Sequence, residues 1–279
     1  MAHSVDRING KLRRAEEHVG ALKRMSRDYM HEEINRVRAK VRHEGENGVG
    51  VHFVVPPYRP QPVIDMAVVV GDVIHNLRSG LDHLAWELVR SVEGVPTKYT
   101  YFPILETGPT PDRHGRRPPP HIAGGVDPAA LEIIESVQPY IRRPANPKAD
   151  VLAGLHRLSL EDKHHGLVLG VPHALVIKNT VAFEPWHPGV VYTGTLRVVN
   201  VFDGGAQATF IADQADVEME RAFTFEVCLE QGTAGLPRPV PVIPVLTDMI
   251  SRTRDEVFLP LAEFLIDCWE PRHGGPLRP

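Results

Sequence analysis

"GDVIHNLRSGLDHLAWEL", residues 71–88, decides how the rest of the chain is read. Val73, Ile74, Leu77, Leu81, Leu84 and Leu88 recur at helical spacing. Between them stand Asp72, His75, Asn76, Arg78, Ser79, Asp82 and His83. With His75 at zero on a wheel of about 100° per residue, the four leucines occupy roughly 180° to 240°. Arg78 falls at roughly −60°, Asp82 at roughly −20°, Trp86 at roughly 20°, Ser79 at roughly 40°, Asp72 at roughly 60° and His83 at roughly 80°. The stretch therefore predicts a helix, about residues 64–91, with a leucine side for the core and a polar side opposite. A solvated helix face normally carries Lys and Glu. This one carries no Lys and a single Glu, Glu87, so its polar residues call for a specific role.

Working towards the N-terminus, "VHFVV" and "INRVRAKVRH" flank the turn residues "EGENGVG" and predict a β-hairpin at about 34–56. "PPYRPQP" ends it, because proline cannot donate to a strand ladder. Val5, Ile8, Leu12, Ala15, Val19, Leu22 and Tyr29 recur at threes and fours and predict a long helix over 3–30 with a narrow seam. Residues 1–43 hold 11 Lys/Arg against 6 Asp/Glu, a balance of +5 within a net charge of −4. The whole molecule is therefore not a polybasic nucleic-acid binder, although its first part is basic.

Towards the C-terminus, residues 105–125 form a Pro/Gly-rich loop. "DPAALEIIESV" has an Asp N-cap and a first-turn Pro and predicts a helix. "RRPANPK" is a loop, and "ADVLAGLHRLSLEDKHH" another helix. From Pro172 the texture turns to Val, Thr and Phe in "ALVIKNTVAFEP", "VVYTGTLRVVNVF", "ATFIADQ" and "AFTFEVCLEQ", which predict about four antiparallel strands. A last amphipathic helix is expected at about 243–269, and a disordered tail at 270–279. The fold class is α+β: a helical bundle with an inserted β-hairpin, then a small antiparallel sheet and a C-terminal helix. The expected division is a helical unit over 1–170 and a β-rich region with closing helix over 171–269.

Cys228 and Cys268 have no metal-ligand spacing, which fits a reducing cytoplasm. The first residues lack an apolar leader core, and no apolar run is long enough to span a bilayer. No phosphate-binding glycine loop, serine-nucleophile elbow or cysteine-centred nucleophile context is present, and no cofactor is implied.

The mixture on the polar side suits a phosphate. Arg78 offers a planar fork of donors, with Asp82 placed at i+4 to hold it. His83 can move a proton near neutral pH, with His75 and Asn76 beside it in support. Such a set could cleave a phosphodiester without a metal. On the second helix, Asp162 falls on the side of Val151, Leu155 and Leu158, where a carboxylate needs a partner; Arg78 or His83 is expected. His164, His165 and Gly166 read as a helix end. Asp72, His75, Asp82, His83, His156 and His164 could instead supply metal ligands, but no His-x3-His run supports this.

Arg78-Ser-Gly-Leu-Asp-His83 resembles the Arg-x4–6-His signature of the HEPN superfamily, dimeric helical-bundle proteins that include metal-independent ribonucleases of toxin, abortive-infection and RNA-processing systems. That resemblance implies a homodimer, RNA as partner, and Arg78 and His83 as the catalytic pair, brought together from two protomers. "GDVIHNLRSGLDHLAWEL" with "LHRLSLEDKHHGL" is also similar to a widespread set of bacterial proteins, a likeness that implies no activity. The alternative to an RNA-acting protein is a non-enzymatic interaction protein, in which the polar side of the helix is a dimer seam or a buried network. A metal-dependent hydrolase ranks third.

Overall fold

The computed structural model describes residues 4–36, 38–44, 48–54, 59–108, 122, 125–170, 181–182, 197–199, 207–212, 218–219 and 227–266. Two long helices carry the fold, α1 (Ser4–Arg36) and α2 (Pro60–Ser91). They run antiparallel: Lys11 of α1 meets Gly80 of α2, while Glu33 at the far end of α1 pairs with Arg59 just before α2. The seam expected on α1 is the one that packs. Ile8, Leu12, Ala15, Val19, Leu22 and Tyr29 are buried, and Val5 is partly buried against the same core. On α2, Val73, Ile74, Leu77, Leu81, Leu84 and Leu88 are all buried.

α1 continues to Arg36, six residues past its expected end, and takes the start of the expected hairpin with it. Charge explains the extension. Glu33 pairs with Arg36 one turn on, at 2.6 Å, and with Arg59 at 2.8 Å, while Glu32 takes the other side of Arg59 at 2.6 Å. The Arg59 guanidinium also lies 5.8 Å from the centre of the Tyr29 ring. Burial, with Glu33 second, pushes the Tyr29 hydroxyl up to about 12. α2 starts four residues earlier than expected, at Pro60, where a missing N–H costs nothing.

The hairpin is β1 (Arg38–Glu44) and β2 (Gly48–Val54). It is not a free-standing flap. β2 also pairs with β6 (Gln207–Ala212), and β6 with β5 (Arg197–Val199), so a four-stranded antiparallel sheet in the order β1-β2-β6-β5 joins the two halves of the sequence across residue 170. β3 (Leu169–Gly170), β8 (Cys228–Leu229) and β9 (Val240–Pro241) form a second antiparallel sheet, and β4 (Val181–Ala182) pairs with β7 (Glu218–Met219). Much of the Val/Thr/Phe-rich run beyond 172, the "RHGRRPPPH" part of the 105–125 loop and the 270–279 tail lie outside the described residues.

Asp127 caps α3 (Pro128–Ser136) by accepting from the Ala129 N–H, and α4 (Pro139–Arg142) is a single turn. Asp150 caps α5 (Val151–His164) by accepting from the Leu152 N–H. Gly166, at φ +76°, ends α5, as the helix-end reading of the His164–His165 pair requires. The closing element is α6 (Val242–Arg252), a π-helical turn (Thr253–Phe258) and α7 (Leu259–Ile266), which pack back onto α1 and α2. Phe258 explains Gly80: a Cβ there would stand 3.2 Å from its ring. α2 runs unbroken through that glycine. Among the described residues, no helix is long and apolar enough to cross a membrane.

Candidate functional site

The polar side of α2 divides into two flanks and a ridge. Arg78 lies on the first flank and is 8% exposed. Its Nη2 donates to Asp82 Oδ1 at 2.8 Å and to the Phe102 carbonyl at 2.7 Å. Asp82 Oδ1 in turn accepts the Phe102 N–H at 3.1 Å. Phe102 itself is fully buried. Three residues on, Gln138 accepts the Leu105 N–H at 3.0 Å and donates to the carbonyls of Pro103 and Ile134. The segment 102–105 thus runs through the interior outside any sheet, with Arg78, Asp82 and Gln138 serving its backbone groups. Buried backbone must be paired, and here side chains do it.

Arg78, expected as an open phosphate fork, is instead placed against the 102–105 segment. One terminal nitrogen is engaged, and Nη1 is enclosed without a hydrogen-bond partner. His156 of α5 faces the same node: burial first and the Arg78 cation second hold its imidazole below the ordinary histidine value. Asn76 is also buried, and its amide donates to the Asp72 carbonyl at 2.8 Å, inside the helix.

Asp162 does meet α2, but not at Arg78 or His83. It lies over Gly71, where an added Cβ would stand 2.7 Å from its Oδ1. Its carboxyl is raised above the usual range by burial and then by Asp72, and is partly relieved by His75. Asp162 thus sits against α2 about two turns before Arg78. The glycine at 71 makes room for it.

The ridge is open. Asp72, His75, His83, Trp86 and Arg90 are exposed, with Ser79 half-buried among them. Ile64 and Val68, 54% and 63% exposed, continue it towards the start of α2. On the flank away from Arg78, His83 lines a groove of about 300 Å³ with Arg7, Trp86, Glu87 and Arg90. Arg7 comes from the first turns of α1, and the other four come from the last turns of α2. Arg78 and His83, five residues apart, point roughly 140° from each other, so one chain does not bring them together.

Sequence reading missed Arg7, Glu87 and Arg90 as site residues, and Gln138 and Phe102 as parts of the Arg78 node. Arg90 was readable: it lies seven residues after His83, two turns along one face. Arg7 was not, since it depends on how α1 is set against α2. Among the described residues, no group of three or more His, Cys, Asp or Glu is gathered to hold a metal ion. Scans of the chain against family models, curated proteins and solved structures give no match.

Proposed function

We propose that this chain is a HEPN-like protein that binds or cleaves RNA without a divalent metal, and that it works as a homodimer. The observation that carries the reading is the place of His83: open to solvent, with an indole and two guanidinium groups around it. In cleavage, the His83 imidazole takes the proton of the attacking ribose hydroxyl or returns one to the departing oxygen. Arg7 and Arg90, which line the groove with His83, hold the charge that develops on the phosphate. Arg78 serves as a positioning residue, fixing α2 against the 102–105 segment. Ile64 and Val68 lie four residues apart on the same ridge, and support a second copy covering the early part of α2.

The test is purified protein with single-stranded RNA in the presence of a chelator, as wild type and as His83→Ala. Loss of proton transfer lowers the cleavage rate by about 10²–10⁴ and leaves RNA affinity nearly intact. Activity abolished by chelator and restored by one metal would move the assignment to a metal-dependent hydrolase.

A second reading, a non-enzymatic interaction protein, is favoured by one observation: Arg78, Asp82 and Asn76 are all consumed by the helix and the segment beside it. A folded wild type that neither binds nor cleaves RNA, across varied sequences and salt, would put this reading first.

A further inference from the structure

The groove at the crossing of α1 and α2 combines three kinds of group that serve different parts of one ligand. Trp86 is 41% exposed, so a large part of an indole is presented to solvent at the groove. A buried indole would be core; an exposed one beside cations suits a planar ring with a charged substituent. Arg7 and Arg90, both exposed, contribute positive charge from two different helices. Glu87 is mostly buried, and both its carboxylate oxygens lie 3.4 Å from Arg90 Nη1. That pairing biases the Arg90 side chain towards the groove while leaving Nε and Nη2 for another acceptor. Among the described residues Arg7 has no ion-pair partner. The groove, about 300 Å³, lies at the small end of the range of ligand pockets.

We propose that this groove binds one nucleotide of a single-stranded nucleic acid, its base stacked on Trp86 and its phosphate held by Arg7 and Arg90. A base can lie on an indole face only when it has left the stack of a double helix, so the site selects single strands. The cations of the site are then supplied by α1 and by the end of α2, outside the Arg-x4-His segment. The proposal rests on the RNA reading for the identity of the strand, but binding here does not require that His83 cleave.

The chain has three tryptophans, Trp86, Trp186 and Trp269. With Trp186→Phe and Trp269→Phe in the full chain, Trp86 fluorescence reports the groove alone. Titration with a short oligoadenylate, a duplex RNA of equal length and an oligoglutamate of equal charge gives the test. The single strand quenches Trp86; the duplex and the oligoglutamate bind more weakly and do not quench. By competition in the otherwise native chain, Trp86→Leu weakens single-strand binding by about 5- to 150-fold, the loss of one base stack, and Trp86→Phe falls between. Arg7→Ala and Arg90→Ala flatten the dependence of log affinity on log salt by about 0.7 for each phosphate no longer neutralised. Circular dichroism checks that each variant is folded. Equal binding by Trp86→Leu, equal binding of duplex, or displacement of the oligoadenylate by oligoglutamate would overturn the proposal. Quenching without cleavage would leave the groove standing and remove the nuclease. Single-strand binding and cleavage that Trp86→Leu leaves unchanged, with cleavage still lowered by Arg7→Ala and Arg90→Ala, would remove the base stack and leave the nuclease standing.

Discussion

Two flanks of one helix, five residues apart, put similar side chains to opposite uses. On one flank Arg78 and Asp82 are turned inward and close the hydrogen bonds of a buried segment. On the other, His83 and Arg90 stay open beside Trp86 and Arg7. An arginine is useful to a ligand only where its donors are unspent. The Arg78 flank is therefore where substitution should cost stability, and the His83 flank where it should cost binding.

The largest effect expected tests the frame that both flanks share. Leu81 is fully buried among the α2 leucines. Leu81→Asp places an unpaired charge there and should remove about 4 kcal/mol or more, enough to unfold the protein. Thermal unfolding by circular dichroism reads it; a variant as stable as wild type would mean that the core face of α2 lies elsewhere.

Arg78→Ala comes next. It strands the Phe102 carbonyl and breaks the pair with Asp82, at a cost of about 2–3 kcal/mol in urea unfolding, the lower side of a buried-pair loss because Asp82 is partly solvated. A loss below about 0.5 kcal/mol, the range of an ordinary surface change, would make the node ornamental.

Gly71→Ala sharpens the same flank further along. The new Cβ meets the end of the Asp162 side chain, and the overpacking, set against the roughly 1 kcal/mol that Ala gains over Gly in a helix, should leave a net loss of at most about 1 kcal/mol. Asp162→Ala in the same chain should restore part of it, since the two changes act at one point of packing. Strict additivity of the two changes would show that they do not touch.

The smallest effect is in pH. The His156 imidazole is held below its ordinary value of 6.5. The unfolded chain therefore takes up that proton first as pH falls. The stability involved is fully present above 6.5 and is lost as pH falls through the folded value. His156→Gln should flatten this part of the acid limb of a stability–pH curve. An unchanged acid limb would mean that His156 titrates alike in both states.

The bundle was legible because helix packing is periodic: the seam from Ile8 to Tyr29 and the leucines of α2 are written at threes and fours. The cap at Asp127 was legible for the same local reason. What failed is non-local. A wheel gives the side on which Asp162 lies, but not the axial offset between α5 and α2, and so the partner fell two turns away. Alternation marked the hairpin but could not name β6, more than 150 residues on, as its neighbour. The end of α1 is hidden in the sequence because a period of two in "INRVRAK" competes with the Glu33 ion pairs, which only the fold brings together. The fate of Arg78 turned on the 102–105 segment, whose need for side-chain partners appears only once it is seen to run outside any sheet.

The division between the flanks is tested most directly by urea midpoints and single-stranded RNA affinities for Arg78→Ala and Arg90→Ala, measured side by side at a temperature where both are folded. The expected result is a crossing. Arg78→Ala loses stability and keeps its affinity, whereas Arg90→Ala keeps its stability, as an exposed substitution should, and binds more weakly, with a shallower salt dependence. An Arg78→Ala protein of native stability that no longer binds RNA, beside an Arg90→Ala protein that binds as wild type, would contradict it.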